Sequence, residues 1–209
     1  MTATCSESVL DELRANRLVW VDEFVDARTC EFLCSELDFA YWHPSVVVRR
    51  DVDGALVSYR SEQRVSESTD DRWFSDDLLA ELGRIEGRVC GLLGTGRRTL
   101  ERWQAVRYRN RGRFRLHHDA GLFADDPEGE RVTTIRLHLY TPGAGGATVF
   151  PYLGVRVGAV AGRLVLWQNL RSDGLADPDM RHAAQPVRRG RKSVLTTWAR
   201  QHPGQGRVS

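Results

Sequence analysis

The chain has 209 residues, of which 41% are hydrophobic and 28% charged, and its formal net charge at pH 7 is +2. This composition is typical of a globular protein and excludes collagen-like, low-complexity and intrinsically disordered chains. It lacks the strong basic excess of most nucleic-acid-binding proteins, so a nucleic-acid partner is not expected. No apolar run approaches the roughly 18 residues of a membrane span, and residues 1–14 lack the pattern of a secretory signal. We therefore expect a cytoplasmic protein with no membrane partner.

Apolar residues at helical spacing predict helices in the N-terminal half of the chain, at 6–16, 26–37 and 75–93. The helix over 75–93 is the clearest of these. Ser75 is a suitable N-cap, two aspartates follow in the first turn, and Gly94 is suited to end the helix. A short strand is predicted at 18–21, between the first two helices.

Strands are predicted throughout the rest of the chain. The runs 46–50 and 55–59 are expected to pair as a hairpin around Asp53-Gly54, whereas the polar segment 61–71 is interpreted as a mobile loop. After residue 100, apolar or alternating runs predict further strands with no helix between them, at 102–108, 133–140, 147–150, 163–167, 182–187 and 193–199.

Many short strands with turn signals indicate a sandwich or closed jelly roll, which the N-terminal helices are expected to buttress. The predicted fold class is therefore α+β and mainly β. No repeat or linker divides the chain, so we expect one domain over 1–209. Within it, residues 1–98 supply the helical support and first strands, 99–200 form the jelly-roll core, and 201–209 are a tail.

The four cysteines have neither zinc-type spacing nor the density of a disulfide-rich fold, so we interpret them as reduced thiols. Cys30 and Cys34 lie four residues apart on a predicted helix. Packing is a better explanation for this pair than a redox function.

His117 and Asp119 form an H-x-D pattern at the predicted end of a strand. Residues i and i+2 project to the same side of a strand, so the two side chains can converge on one point. His182 begins another predicted strand and could supply a third ligand. Two imidazoles and one carboxylate form the facial triad of non-haem Fe(II) oxygenases, which leaves three coordination positions open. The alternative is that His182 is a solvated or hydrogen-bonded core histidine.

Lys192 is the only lysine in a chain with 29 arginines and follows His182 by ten residues. If the two strands pair through a turn at 189–190, both residues can line one interior. A buried lysine needs an anion, which a dicarboxylate co-substrate would supply. The alternative is that Lys192 belongs to a basic surface turn, although arginine would serve equally well there.

Five arginines alternate with other residues over 107–115. On one straight strand they would form a basic face suited to an anionic substrate or nucleic acid. A turn at 110–112 would split the run, and we favour the turn because Tyr108 and His117 otherwise face opposite sides. His118 and His138 are interpreted as structural or outward-facing residues.

A family resemblance depends on several segments that follow one another along the chain: 101–108, Phe114–Asp119, Gly145–Pro151, His182–Lys192 and Trp198. With this order and spacing, residues 101–200 resemble the prolyl 4-hydroxylase-like branch of the Fe(II)/2-oxoglutarate-dependent dioxygenases. In the N-terminal half, Arg64-Val-Ser weakly resembles the R-x-S of that family. Phe114 departs from the pattern, since tyrosine is usual at that position.

The resemblance implies a double-stranded β-helix in which His117, Asp119 and His182 bind Fe(II). It also implies that Lys192 pairs with the distal carboxylate of 2-oxoglutarate, the co-substrate consumed with O2. Tyr108 matches a position that often contacts the co-substrate, and Trp198 matches one that lines the same pocket.

The main hypothesis is a hydroxylase that acts on an unactivated C–H bond of an amino acid, whether free, carrier-bound or peptidyl, with proline among the candidates. Its products would be the hydroxylated substrate, succinate and CO2. An aspartate at position 119, rather than glycine or alanine, favours hydroxylation over halogenation. One alternative is a demethylase of the same fold that acts on nucleic acid, and another is a non-enzymatic metal-binding jelly roll. Substrate choice is expected to depend on the loops 51–73 and 121–131.

Overall fold

The computed structural model describes the backbone of residues 3–204 and the side chains of residues 8–204. Within that range the α-helices are Ala3–Asn16 (α1), Ala27–Asp38 (α2) and Asp76–Leu93 (α3), which confirms the predicted helices. The Ser75 side chain accepts a hydrogen bond from the backbone N–H of Leu78. Gly94 ends α3 with a φ of 62°, in the left-handed region that favours glycine. No helix in this range is long and apolar enough to cross a membrane.

Strands make up most of the remaining regular structure. Over the described residues they are Leu18–Val21 (β1), His43–Pro44 (β2), Val47–Arg50 (β3), Leu56–Tyr59 (β4), Arg64–Val65 (β5), Glu67–Asp70 (β6), Gln104–Tyr108 (β7), Arg113–His117 (β8), Arg131–Tyr140 (β9), Ala144–Gly145 (β10), Thr148–Phe150 (β11), Val155–Val157 (β12), Leu164–Gln168 (β13), His182–Ala184 (β14), Val187–Arg189 (β15) and Lys192–Arg200 (β16). The predicted strand β1 and the β3–β4 hairpin are both confirmed.

Two antiparallel sheets pack against each other as a jelly roll, as predicted. Over residues 3–204 the larger sheet has the order β1-β13-β9-β16-β7-β6-β2, and the smaller sheet has the order β12-β11-β14-β8-β5. Side chains from both sheets meet in the interior. Val106 and Val194 of the larger sheet pack with Ala184 of the smaller one, and Trp167 packs with Phe150.

The larger sheet has an apolar outer face, and along β9 its inner face is polar. Alternate residues of β9 pack in the same core as the helices: Ile135, Leu137 and Leu139. The buried residues between them therefore face the smaller sheet: Thr134, Arg136 and His138. This inner face lines the site described below.

The segment 61–71 is not a mobile loop, and that prediction is wrong. It contains β5 and β6, which pair with β8 and β7. Its polar composition is compatible with a strand because backbone pairing to a neighbouring strand, rather than apolar side chains, places it in the sheet.

The strands of His182 and Lys192 do not pair with each other, so the condition considered for them is not met. The run 182–187 divides into β14, in the smaller sheet, and β15, which pairs with β10. Lys192 begins β16 in the larger sheet. The two residues therefore reach the interior from opposite sheets.

The arginine run is split by a turn, as favoured above. β7 ends at Tyr108, β8 begins at Arg113, and Arg111 lies in the turn between them with a φ of 64°. The Nε atoms of Arg107 and Arg109 donate to Glu67 Oε2 at 2.7 and 3.1 Å. The run therefore forms no single straight basic face.

Cys30 and Cys34 lie on α2 against β9. Their Sγ atoms approach the carbonyl oxygens of His138 and Leu139 at 3.9 and 3.8 Å. Both thiols are unbonded to other cysteines, which confirms the packing interpretation.

Candidate metal centre and active site

The structure brings the three predicted metal ligands together. His117 is the last residue of β8, and His182, the first residue of β14, stands directly opposite it in the antiparallel register. Asp119 follows two residues after His117. One ligand atom from each residue lies within 4.8 Å of the others. Asp119 Oδ1 is 3.7 Å from His117 Nε2, and Asp119 Oδ2 is 3.6 Å from His182 Nε2.

Backbone carbonyl groups orient both imidazoles. Nδ1 of His117 lies 2.8 Å from the carbonyl oxygen of Arg115, and Nδ1 of His182 lies 3.1 Å from that of Met180. Because a carbonyl can only accept, each Nδ1 carries the hydrogen and each Nε2 keeps its lone pair. This is the arrangement of a metal-binding histidine.

The carboxylate of the triad is fixed in a similar way. Thr134 Oγ1 donates a 2.8 Å hydrogen bond to Asp119 Oδ2, and it accepts one of 2.9 Å from Asn169 Nδ2. Thr134 and Asn169 are both fully buried. The chain of bonds holds one Asp119 oxygen in place and leaves the other, Oδ1, directed toward His117.

The electrostatics of the triad favour a bound cation. Burial lowers the pKa of His117 well below its ordinary value, and burial lowers that of His182 to about 4 despite the opposing Asp119. Burial alone would raise the pKa of Asp119, but His182, His117 and Arg136 outweigh that effect and lower it. Two neutral imidazoles and one carboxylate therefore converge. Nε2 of His182 is buried with no hydrogen-bond partner among the described residues, so this donor set fits a divalent metal.

Lys192 occupies a separate niche. Its side chain is 1% exposed, and its Nζ lies 3.4 Å from Thr148 Oγ1 and 5.3 Å from the centroid of the Tyr108 ring. No carboxylate of the described chain forms an ion pair with it. Burial, and next the charge of Arg136, lower the pKa of Lys192 well below its ordinary value. An isolated buried ammonium with a hydroxyl beside it fits an anion.

An open cavity of about 640 Å³ reaches the triad from the surface. His117 and Asp119 line its inner end, together with Tyr108, Arg136 and Trp198. Thr148, His182 and Lys192 do not line it. Tyr108 lines the cavity and also faces the Lys192 ammonium, so the niche of Lys192 adjoins the cavity behind that ring.

The sequence of the core matches a known family. Residues 103–200 match the family described as the 2OG-Fe(II) oxygenase superfamily. The match covers 98 of the 209 residues and confirms the family resemblance predicted from the sequence. The cofactors of that superfamily are Fe(II) and 2-oxoglutarate with O2, and the donor set described above fits them.

Prolyl 4-hydroxylase subunits are among the similar proteins. Subunit alpha-1 from Gallus gallus is 36% identical over 142 residues, which are 65% of this chain and 27% of that protein. Subunit alpha-2 from Caenorhabditis elegans is 33% identical over 141 residues, 65% of this chain and 26% of that protein. The chain thus spans about a quarter of the length of these relatives.

Solved structures show the same fold. The viral collagen prolyl hydroxylase of Paramecium Bursaria Chlorella virus-1, in its 2-oxoglutarate complex, aligns with a TM-score of 0.65 and 21% identity over 88% of this chain and 95% of its own. A prolyl-4-hydroxylase from Pseudomonas putida aligns with a TM-score of 0.62 and 23% identity over 94% of this chain and 99% of its own.

The other residues that the sequence singled out lie in different parts of the fold. Tyr108 stands opposite Lys192 in the β7–β16 register. Trp198 lies six residues along β16 from Lys192, about 20 Å at the usual rise per residue, and stacks under the Arg131 guanidinium at 3.6 Å. Trp198 therefore borders the open cavity rather than the niche. Phe114 stacks on the His117 ring with a centroid distance of 3.6 Å, which gives its aromatic ring a packing role.

The two other histidines also differ in environment. His118 is structural, as interpreted, since its Nε2 lies 2.7 Å from the carbonyl oxygen of Asp177. His138 is fully buried on the inner face of β9, so the outward-facing option is wrong for it. Neither of its ring nitrogens has a hydrogen-bond partner within the described part of the chain.

Sequence reasoning missed three residues of the site: Thr134, Arg136 and Thr148. A signal for the first two exists, because threonine, arginine and histidine alternate with Ile135, Leu137 and Leu139 along one strand. Thr148 lies within the segment that carries the family resemblance, but nothing in that segment alone pairs it with Lys192.

Proposed function

We propose that this chain is an Fe(II)- and 2-oxoglutarate-dependent hydroxylase of an amino acid, free, carrier-bound or within a peptide, with proline as the first candidate. One observation carries the proposal. The two imidazoles are fixed in the metal-binding tautomer around a buried carboxylate, and the Nε2 atom of His182 has no partner among the described residues. The names of the prolyl 4-hydroxylase relatives support the substrate class.

In this proposal His117, Asp119 and His182 would hold the metal, as the facial triad of non-haem Fe(II) oxygenases does. Bound Fe(II), with 2-oxoglutarate and O2, supplies the oxidant that converts a C–H bond to C–OH. One oxygen atom enters the hydroxyl group and the other enters succinate, while the C1 carboxylate of 2-oxoglutarate leaves as CO2. Asp119 would bind the metal through its carboxylate, which a glycine or alanine at this position could not do, so hydroxylation is favoured over halogenation.

The protein's own groups hold the co-substrate and protect the site. Lys192 and Thr148 bind the distal carboxylate of 2-oxoglutarate in their niche, with the Tyr108 ring against the ammonium. The Phe150 and Trp167 rings pack against the His182 imidazole, with centroid distances of 5.2 and 4.8 Å. They would keep water from the buried side of the His182 imidazole.

The open cavity is the proposed substrate chamber. The β3–β4 hairpin contributes Val47, Val48 and Ser58 to its wall, and β5 contributes Arg64. The chamber is wide enough for an amino acid or a short peptide segment. For a nucleic-acid demethylase, a continuous basic face is expected near the mouth, whereas Arg107 and Arg109 are paired with Glu67.

Formation of succinate from 2-oxoglutarate tests the proposal. The purified chain, supplied with Fe(II), ascorbate and a panel of free amino acids and proline-containing peptides, is expected to form succinate and a product heavier by one oxygen atom. The His182→Ala variant is the control and should form neither. A chain that binds metal but neither binds nor consumes 2-oxoglutarate would instead be a non-enzymatic metal-binding jelly roll.

A further inference from the structure

Arg136 is a buried cation on the inner face of β9 that the mechanism above does not use. It is 8% exposed and lines the open cavity. Its Nε donates to Thr196 Oγ1 at 3.3 Å, and its guanidinium carbon lies 4.8 Å from the centroid of the Trp167 ring. Its two terminal nitrogens make no hydrogen bond to any described residue. A buried guanidinium with free donors fits an anion.

The other arginines on the cavity wall already have partners. Arg72 forms an ion pair with Asp70 at 2.7 Å, and Arg131 forms one with Glu101 at 2.7 Å. Arg64 donates to the carbonyl oxygen of Val46 and to the hydroxyl groups of two serines: Ser66 and Ser68. Among the lining arginines of the described chain, Arg136 is the one held by a single neutral hydrogen bond.

Arg136 is placed for the substrate rather than for the distal end of the co-substrate. Its neighbour across the β9–β16 register is Thr196, and the backbone of Lys192 lies four residues further along β16, about 13 Å at the usual rise, although the charges of the two side chains still influence each other. Arg136 lines the open cavity, whereas Lys192 and Thr148 do not. An anion that enters through the cavity therefore meets Arg136.

The formal charges of the site with metal and co-substrate bound also favour an additional anion beside Arg136. The formal charges of Fe(II), Asp119, Lys192 and a 2-oxoglutarate dianion cancel. Arg136, like Arg64 on the same wall, then has no carboxylate partner among the described residues, and a buried charge of this kind is costly unless a further anion arrives. One carboxylate of a substrate supplies that anion.

We propose that Arg136 binds a carboxylate of the substrate, so the preferred substrate is an amino acid that presents a free carboxylate to the cavity. The inference rests on the proposed hydroxylase function and narrows its substrate class. A free amino acid or a C-terminal residue has the required carboxylate, whereas an internal prolyl residue does not.

Ligand binding without turnover tests this inference. The protein is loaded with Mn²⁺ and N-oxalylglycine, a 2-oxoglutarate analogue, and its binding to L-amino acids, glycyl-L-proline and their carboxamides is measured by saturation-transfer NMR and calorimetry. At least one acid is expected to bind tenfold or more tightly than its amide. Arg136→Gln removes a charge-assisted hydrogen bond to the carboxylate, so the affinity for that acid should fall by roughly 10- to 100-fold. Arg136→Lys should recover part of the loss.

Matched controls separate the possible failures. Arg72→Gln removes a lining arginine that is already paired, so it should leave the preference for acids unchanged. Thermal unfolding and Mn²⁺ affinity of each variant verify the fold. Three results would overturn the inference. The amides could bind as tightly as the acids, neither set could bind, or Arg136→Gln could change the affinity for N-oxalylglycine alone. A wild-type protein that binds neither Mn²⁺ nor N-oxalylglycine would instead contradict the proposed function.

Discussion

Lys192 and Tyr108 stand directly opposite each other where β16 pairs with β7, and the Lys192 ammonium lies 5.3 Å from the centre of the Tyr108 ring. The pairing of β16 with β7 fixes the backbone of the lysine, and the hydroxyl group of Thr148, on the smaller sheet, contacts its Nζ. The ammonium is thus held in one position by both sheets. This pre-organisation reduces the entropic cost of binding an anion.

Replacing Lys192 tests the co-substrate niche. Lys192→Ala leaves the distal carboxylate of 2-oxoglutarate buried without its partner, a loss of about 3–5 kcal/mol, so affinity should fall by a hundredfold or more. Lys192→Arg should recover part of it, limited by the larger planar head. Calorimetric titration of the Mn²⁺-loaded protein measures both effects. Unchanged titrations in both variants would contradict the niche.

Thr148 offers a milder test of the same niche. Thr148→Val keeps the shape of the side chain and removes the hydroxyl group near Lys192 Nζ. Affinity for 2-oxoglutarate should fall by roughly 10-fold or more, the contribution of one hydrogen bond to a charged group, with Mn²⁺ affinity unaffected. An equal loss of metal affinity would show that the hydroxyl acts elsewhere.

Thr134 is expected to matter for the metal, although it is not a ligand. Thr134→Val removes the hydrogen bond to Asp119 Oδ2 at nearly constant volume. Groups that orient metal ligands typically change metal affinity by about 10- to 100-fold, and a loss in that range is expected here. Mn²⁺ titration followed by electron paramagnetic resonance measures it. Wild-type affinity in Thr134→Val would show that Asp119 needs no such support.

The triad itself can be tested without turnover. A metal that binds the folded state alone raises the unfolding temperature, and saturation a hundredfold above Kd stabilises by about 2.7 kcal/mol. The wild-type protein should show this rise with Mn²⁺, while His182→Ala and Asp119→Ala should melt at the same temperature with and without the ion. A rise of equal size in either variant would place the metal elsewhere.

The thiols of α2 should be unreactive in the folded protein. Burial raises the pKa of Cys30 to about 11, and it also raises the pKa of Cys34. At pH 8 roughly one Cys30 in a thousand is a thiolate, the form that reacts. Iodoacetamide should therefore modify Cys30 slowly in buffer and rapidly in guanidinium chloride, as peptide mass spectrometry would show. Equal rates in both conditions would contradict the packing of α2 on β9.

Much of the local structure follows from the sequence alone. The N-cap at Ser75, the left-handed Gly94 and the Asp53-Gly54 hairpin depend on residues close together in the chain, so the pattern of neighbours is enough to predict them. His117 and Asp119 are predicted together for the same reason, because their spacing of two depends only on strand geometry. His182 and Lys192 are predicted as site residues from the resemblance to the oxygenase family, whose motifs occur in this chain in the same order.

Only the tertiary structure decides how the distant parts meet. The segment 61–71 is a pair of strands because β8 and β7 offer it backbone partners, which its polar side chains do not reveal. His182 and Lys192 approach the site from opposite sheets, although ten residues apart in the chain. Arg136 becomes a cavity residue because strand pairing buries β9 on both faces, and the alternation of its side chains then turns a charged residue inward. Such pairings join segments far apart in sequence, and their free energy comes from packing and desolvation that no local pattern records.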